Sequence, residues 1–271
     1  MSNVLVNPST LEGLGRVIRL KNNSEEKIKP SVMPDDVAAF ELADCPDIEK
    51  IIARTIKSYS STTMTSVSNY LFAGCKYLIE INLPAATTIG ASSFYKSGLK
   101  TLSSNSLIEF GDSAFSFSNL EEVACENVTT IGKNCFDNCK CLSTVNLPKL
   151  AIVAAYSFQS SSIKKVKFNS VTQIGGNAFT SSSLQLIDLP VATEILGAGF
   201  YNCKYLDTVI LRKSSVCSLG NKNAFGSTPI ESGSGYIYVP KSLISSYKTA
   251  TNWTNFSEQF RAIEDYVDQL A

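Results

Sequence analysis

The sequence contains no histidine, so it lacks the commonest catalytic base and the commonest nitrogen ligand of metal sites. Ser-His-Asp and Cys-His catalysis and every metal site that needs imidazole are therefore excluded. The 271 residues also carry no net charge, because 24 lysines and arginines balance 24 aspartates and glutamates. Proteins that bind nucleic acid normally carry a basic excess, so we expect no nucleic-acid partner.

Long hydrophobic runs are also missing. The longest candidate, residues 150–156, has seven residues, whereas a transmembrane helix needs about 20, so we expect no membrane insertion. No basic residue precedes Arg16, which predicts that this chain has no secretory signal peptide. No phosphate-binding glycine motif is present, and the adjacent Glu121 and Glu122 do not suit a facing carboxylate pair. We therefore predict a protein that is not an enzyme and has no cofactor.

Phenylalanine recurs at a nearly constant interval, and this is the strongest regularity in the chain. Its positions, separated by steps of 22, 21, 21, 22, 21, 21 and 25 residues, are Phe72, Phe94, Phe115, Phe136, Phe158, Phe179, Phe200 and Phe225. A repeat of this length is typical of solenoids, in which one unit cannot bury its apolar face alone. We therefore predict a stack of about eight coils of 21–22 residues.

Each repeat carries an L-x-x-I-x-L segment that begins five or six residues after the phenylalanine. At the end of this segment, apolar residues alternate with other residues, which predicts a short strand with one face in the core. An apolar residue, usually followed by glycine, comes five residues before the next phenylalanine and predicts a second short strand or turn. The phenylalanine then enters the core from the far side.

Small residues occupy the position three residues after each phenylalanine. They are Cys75, Ser97, Ser118, Cys139, Ser161, Ser182 and Cys203. Because serine and cysteine both occur here, the position requires a small side chain rather than a particular chemical group. The cysteine coils are three coils apart, about 14 Å at the usual strand spacing, which is beyond the reach of a disulfide. We predict buried thiols, and no metal at the Cys135, Cys139 and Cys141 cluster, which lacks a fourth ligand.

The repeat FAGCKYLIEINLPAATTIGASSF, residues 72–94, resembles the BspA-like leucine-rich repeats of bacteria and some protozoa. The resemblance extends over residues 40–225, about two-thirds of the chain. It implies a leucine-rich-repeat solenoid that is mainly β, with a curved parallel sheet. The function that it implies is adhesion at a surface or binding of a host protein.

The flanks divide the chain into three predicted parts. The first part, residues 1–38, does not repeat and is predicted to form a helical N-terminal cap or attachment segment. The second part, residues 39–235, contains the repeats. The third part, residues 236–271, is predicted to form a strand and a helical cap. Within the first part, residues 11–33 resemble short N-terminal segments of phage and prophage structural proteins from Gram-positive gut bacteria. A prophage-encoded structural or receptor-binding, tail-associated component therefore stays open as an alternative.

Binding residues are expected on the outward positions of the strands, which the resemblance places on the concave face. The candidates are Glu80, Asn82, Glu122, Asn146, Lys165, Lys167, Leu186, Asp188, Thr208 and Ile210. Leu186 and Ile210 are the sharper candidates, because exposed apolar side chains on a strand indicate a contact. We expect a monomer that binds a protein or glycan ligand at the cell surface or outside the cell, with association with virions as the alternative.

Overall fold

The computed structural model describes residues 47–269 of the chain. The predicted N-terminal cap, the segment that resembles phage proteins, and Cys45 lie outside the described residues. The boundary at residue 38 and the prophage alternative therefore stay predictions.

The chain winds through two short strands in each coil, and every strand pairing is parallel. The first set contains β1 (Ser58–Ser60), β3 (Glu80–Asn82), β5 (Thr101–Ser103), β7 (Glu122–Ala124), β9 (Thr144–Asn146), β11 (Lys165–Lys167), β13 (Leu186–Leu189), β15 (Thr208–Leu211), β17 (Tyr236–Val239) and β18 (Phe260–Ala262). The second set contains β2 (Ser66–Val67), β4 (Thr88–Ile89), β6 (Glu109–Phe110), β8 (Thr130–Ile131), β10 (Ile152–Val153), β12 (Gln173–Ile174), β14 (Glu194–Ile195) and β16 (Ser218–Leu219). The predicted β-rich solenoid is confirmed.

Helices are short and lie at the ends of the described part of the chain. The α-helices are α1 (Ile48–Ile52), α2 (Pro229–Ser232) and α3 (Ile244–Thr249). Single 3-10 turns occupy Lys222–Phe225, Lys241–Leu243, Trp253–Phe256, Ile263–Asp265 and Val267–Gln269.

The eight repeating phenylalanines form one continuous stack through the core. All are fully buried, and neighbouring rings lie 5.1–5.5 Å apart with interplanar angles of 6–18°. This spacing is close to the roughly 4.8 Å between neighbouring strands, so ring stacking and strand pairing support the same rise per coil. Tyr59 packs on the first ring and Trp253 on the last.

Six of the eight turns that carry the phenylalanines use left-handed backbone at two positions, two residues before and two residues after the ring, whereas the turns around Phe200 and Phe225 use it only at the second position. Around Phe115 these are Ser113, with φ of 54°, and Phe117, with φ of 58°. The amides of Ser113, Phe115 and Phe117 each donate to a carbonyl of the next coil, at 2.8–2.9 Å. These hydrogen bonds offset the cost of left-handed backbone in residues other than glycine. The sequence analysis missed this feature, although the frequent Asn and Ser at the two positions signal it.

Close packing between coils explains the glycine that follows the second strand in most coils. Gly132 has no positive φ, but a Cβ on it would lie 2.4 Å from the backbone nitrogen of Asp112 in the preceding coil. At Gly132 the backbones of two neighbouring coils thus lie so close together that a side chain would push them apart.

The C-terminal segment closes the open end of the stack. Tyr247 and Trp253 are fully buried. The Tyr247 hydroxyl accepts a hydrogen bond from the amide of Cys217, and the Trp253 indole donates to the carbonyl of the same residue. β18 then pairs with β17 and extends the first set by one more strand, which the repeat pattern does not signal.

The first set of strands is interrupted twice. Its hydrogen-bonded groups are β1-β3, then β5-β7-β9, then β11-β13-β15-β17-β18. Each interruption follows a coil of 22 residues, which has one more residue between phenylalanine and leucine than the 21-residue coil after it. The strands of these two coils therefore start at different numbers of residues after their phenylalanines.

Six of the seven cysteines in the described region are buried and free, and Cys141 is exposed. The thiols of Cys139 and Cys203 donate to the carbonyls of Phe115 and Phe179 in the preceding coil, at 3.1 and 2.9 Å. The position needs a small side chain rather than a donor, because the buried hydroxyls of Ser97 and Ser161 in the same column have no hydrogen-bond partner. Burial raises the pKa of Cys139 to about 12 and that of Cys203 to about 11.

Phe136→Ala is expected to lower the free energy of unfolding by about 3–5 kcal/mol, because it removes a ring from the middle of the stack and leaves a cavity. The control is Phe117→Asn at an exposed, left-handed position, where we expect a change within about 0.5 kcal/mol. Urea denaturation followed by circular dichroism measures both. Equal losses in the two variants would show that the stack is not a main source of stability.

Cys141 is expected to react with a thiol reagent at pH 8 much faster than the six buried cysteines. The thiolate is the reactive form, and a pKa of about 11 leaves about one thiolate in a thousand at this pH. Mass spectrometry of a Cys45→Ser variant should show one fast labelling event, which Cys141→Ser removes. Fast labelling of Cys139 or Cys203 in the folded protein would contradict the packing described above.

Candidate functional site

The ten predicted binding residues all lie on the outward side of the first set of strands, which we call the strand face. Intervening residues such as Val166 and Ile187 are buried in the core. The register aligns Lys165, Leu186 and Thr208 in one row across three strands. The second row contains Lys167, Asp188 and Ile210. Glu80 and Asn82 lie on β3 and are separated from the rest by the first interruption, and Lys165 is separated from Asn146 by the second.

The accessibility of these residues falls along the chain. Six are exposed, namely Glu80, Asn82, Glu122, Asn146, Lys165 and Lys167. Leu186 and Thr208 are half-buried. Asp188 is 5% exposed and Ile210 is 1% exposed.

The expectation that Ile210 is exposed is therefore wrong, whereas Leu186 remains partly accessible. Ile210 lies between Asp188 and Tyr238 in the register of neighbouring strands. Tyr238 is itself buried and packs edge-on against Tyr266, 5.4 Å between ring centroids. The C-terminal segment thus shields this end of the strand face, and Ile210→Asp would place a charge in the interior instead of reporting on binding.

Asp188 is buried because basic side chains neutralise its carboxylate. The Nε of Arg212 donates to both carboxylate oxygens, at 2.9 and 3.1 Å. Lys167 Nζ lies 3.7 Å from one of them, and its side chain remains 57% exposed. Asp188 therefore has a structural role as the buried partner of Arg212, and is not available to a ligand.

Aromatic residues that the sequence analysis did not select form the C-terminal end of the strand face. Tyr236 and Tyr238 point outward from β17, and their rings lie 6.5 Å apart. Arg261 places its guanidinium 4.2 Å from the centre of the Tyr236 ring, in a cation-π contact. Burial raises the pKa of Tyr238. The alternation in Y-I-Y-V could have revealed both outward tyrosines.

The strand face thus changes character from one end to the other. Glu80 and Glu122 give its first part an acidic character, Lys165 and Lys167 make the middle basic, and Tyr236 lies in the apolar and aromatic last part. Within residues 47–269, no group of three or more cysteine, aspartate or glutamate side chains could hold a metal ion. Within the same residues, no helix has the length and hydrophobicity needed to span a membrane.

Comparison with known proteins gives a clear family match. Six copies of the model for the BspA type leucine rich repeat region match residues 50–163 and 129–250. None of the curated proteins matches the chain.

Among solved structures, the fold is similar to that of the pneumococcal vaccine antigen PcpA, with 18% identity and a TM-score of 0.49 over 69% of this chain and 60% of that one. It is also similar to a leucine rich cell surface protein from Faecalibacterium prausnitzii A2-165, with 18% identity and a TM-score of 0.36 over 61% and 62%. A leucine-rich repeat protein from Bacteroides ovatus ATCC 8483 matches with 19% identity and a TM-score of 0.35 over 78% and 85%. The chain spans less than two thirds of the first two proteins.

Arg212→Met is expected to lower the free energy of unfolding by about 3 kcal/mol, because it leaves the buried Asp188 carboxylate without its closest charge partner. Adding Asp188→Leu to the same chain should recover most of this loss, since both charges are then absent. Chemical denaturation of the two single variants and the double variant measures the coupling. Losses that simply add would contradict the pairing of the two side chains.

Proposed function

Because the chain belongs to the BspA type leucine-rich repeat family, we propose that it is a non-enzymatic binding protein that holds a protein partner through the strand face. The proposed setting is adhesion at a bacterial cell surface. Solenoids of this kind present an extended, rigid surface, which suits a large partner better than a small substrate.

The observation that carries the proposal is the meeting of a basic patch with an apolar one at the centre of the strand face. Lys164 and Lys165 are exposed at the start of β11. The half-buried Leu186 lies directly beside Lys165 in the strand register. Apolar contact surrounded by charge is the usual composition of a protein-protein interface.

The charges also define the partner. Lysines beside leucine and tyrosine side chains favour a partner segment in which acidic residues flank apolar ones. The aromatic side chains are rigid anchors of the kind that contributes most to binding energy at interfaces. Arg261 is held over Tyr236, so this end of the face is ordered before a partner arrives.

Lys165→Glu combined with Leu186→Asp is expected to weaken adhesion by at least about tenfold, because it reverses the central charge and adds another at the apolar contact. Lys167 is left unchanged, since it faces the buried Asp188. The matched control is Lys133→Glu with Ile152→Asp, which makes the same chemical change at exposed positions away from the strand face.

The measurement is the adhesion of beads coated with each variant to cultured epithelial cells. Prior treatment of the cells with protease should abolish adhesion of wild-type beads, whereas glycosidase treatment should not. The reverse result would identify a glycan partner. Equal adhesion of both double variants would show that the strand face is not the binding surface.

A further inference from the structure

An open cleft of about 450 Å³ lies at the first interruption of the strand face, between β3 and β5. β3 pairs only with β1 and β5 only with β7 among the described strands. The volume falls within the range of about 300–1,000 Å³ that is usual for small-molecule sites. The cleft lies at the opposite end of the described repeats from the aromatic residues of β17.

The lining combines neutral polar groups with an apolar floor. The polar side chains are Asn82, Ser103, Ser104, Asn105 and Ser106, and the others are isoleucine, leucine and proline. None of the lining residues is charged. The Ser104 and Ser106 hydroxyls lie 3.0 Å apart, and the backbone amides of Ser106 and Leu107 donate to the Ser104 hydroxyl. This turn is therefore ordered without a ligand.

At the cleft, Ser104 occupies a position that other coils fill with an apolar side chain. The corresponding residue is Leu83 in the preceding coil and Cys125 in the next. The second interruption offers a closer comparison, because residues 168–171, F-N-S-V, correspond to residues 104–107, S-N-S-L. Phe168 is fully buried there and packs on the neighbouring rings of Phe158 and Phe179. The second interruption is thus filled by a phenylalanine ring, whereas the first is open.

We propose that this cleft binds a neutral saccharide residue. A charged ligand would find no counter-charge among the lining side chains, and a purely apolar ligand would leave the serine and asparagine groups without partners. A neutral sugar has hydroxyl groups that donate and accept, which match the serines and asparagines, and C–H faces that match the apolar floor. The site goes beyond the proposed protein-binding function, since it uses none of the basic or aromatic residues of the strand face.

NMR titration of the isotope-labelled full chain tests the proposal. The probes are glucose, galactose, mannose, N-acetylglucosamine and N-acetylgalactosamine, with glucuronate and N-acetylneuraminate as charged counterparts. We expect at least one neutral sugar to shift the amides of residues 102–107 in a saturable way, with a Kd of about 1 mM. The charged sugars should bind at least about tenfold more weakly, because they would lose part of their hydration to a lining that offers no counter-charge.

Ser104→Phe copies the filled arrangement at Phe168 and should abolish these shifts. Asn82→Ala with Asn105→Ala removes two exposed amides from the rim and should weaken binding even if the first variant folds poorly. The matched control is Asn146→Ala with Asn169→Ala at the second interruption, which should leave the titration unchanged. Lys165→Glu with Leu186→Asp should also leave it unchanged, so that failure of the protein-binding proposal and failure of this one are distinguishable.

Three results would overturn the proposal. The first is that no neutral sugar shifts the amides of residues 102–107 at about 20 mM, well above the expected Kd. The second is equal binding of charged and neutral sugars. The third is undiminished binding by folded Ser104→Phe protein.

Discussion

Stacking of one phenylalanine ring per coil is the interaction on which the rest of the structure depends. A ring spacing of 5.1–5.5 Å matches the rise that parallel strands require, so the core and the backbone ladders support the same geometry. In the turns from Phe72 to Phe200, backbone amides donate to carbonyls of the next coil. With Tyr59 and Trp253 at its two ends, the stack makes a single core out of units that could not fold alone.

Small departures from strict repetition give the strand face its individual features. A one-residue difference between 22- and 21-residue coils accompanies both interruptions of the first set of strands. One side chain then decides whether an interruption is open or closed, as Ser104 and Phe168 show. The stack itself continues past both places, since Phe72 contacts Phe94 and Phe136 contacts Phe158. The repeat therefore carries stability, while the departures create the differences that recognition needs.

The repeat pattern predicted the core closely because each core position depends on its own coil and its immediate neighbours. The phenylalanine stack, the two strands per coil and the small column at Cys139 all follow from residues about 21 positions apart. The binding face was predicted less well. Ile210 and Asp188 occupy outward positions, yet the aromatic residues of the C-terminal segment and the guanidinium of Arg212 bury them. The C-terminal segment lies outside the repeats, and Arg212 lies at a coil position where no other coil has an arginine, so the repeat pattern could not reveal these partners.

The amino-acid sequence by itself determined the solenoid, its period and the residues that form its core, because apolar columns repeated at one interval are buried together when the coils stack. The tertiary structure alone decided which outward residues remain accessible, where the strands stop pairing and where a cleft opens. Accessibility depends on what lies above a side chain, and at Ile210 that is Tyr238 and the C-terminal segment around Tyr266. Contacts between such distant segments appear only once the chain is folded.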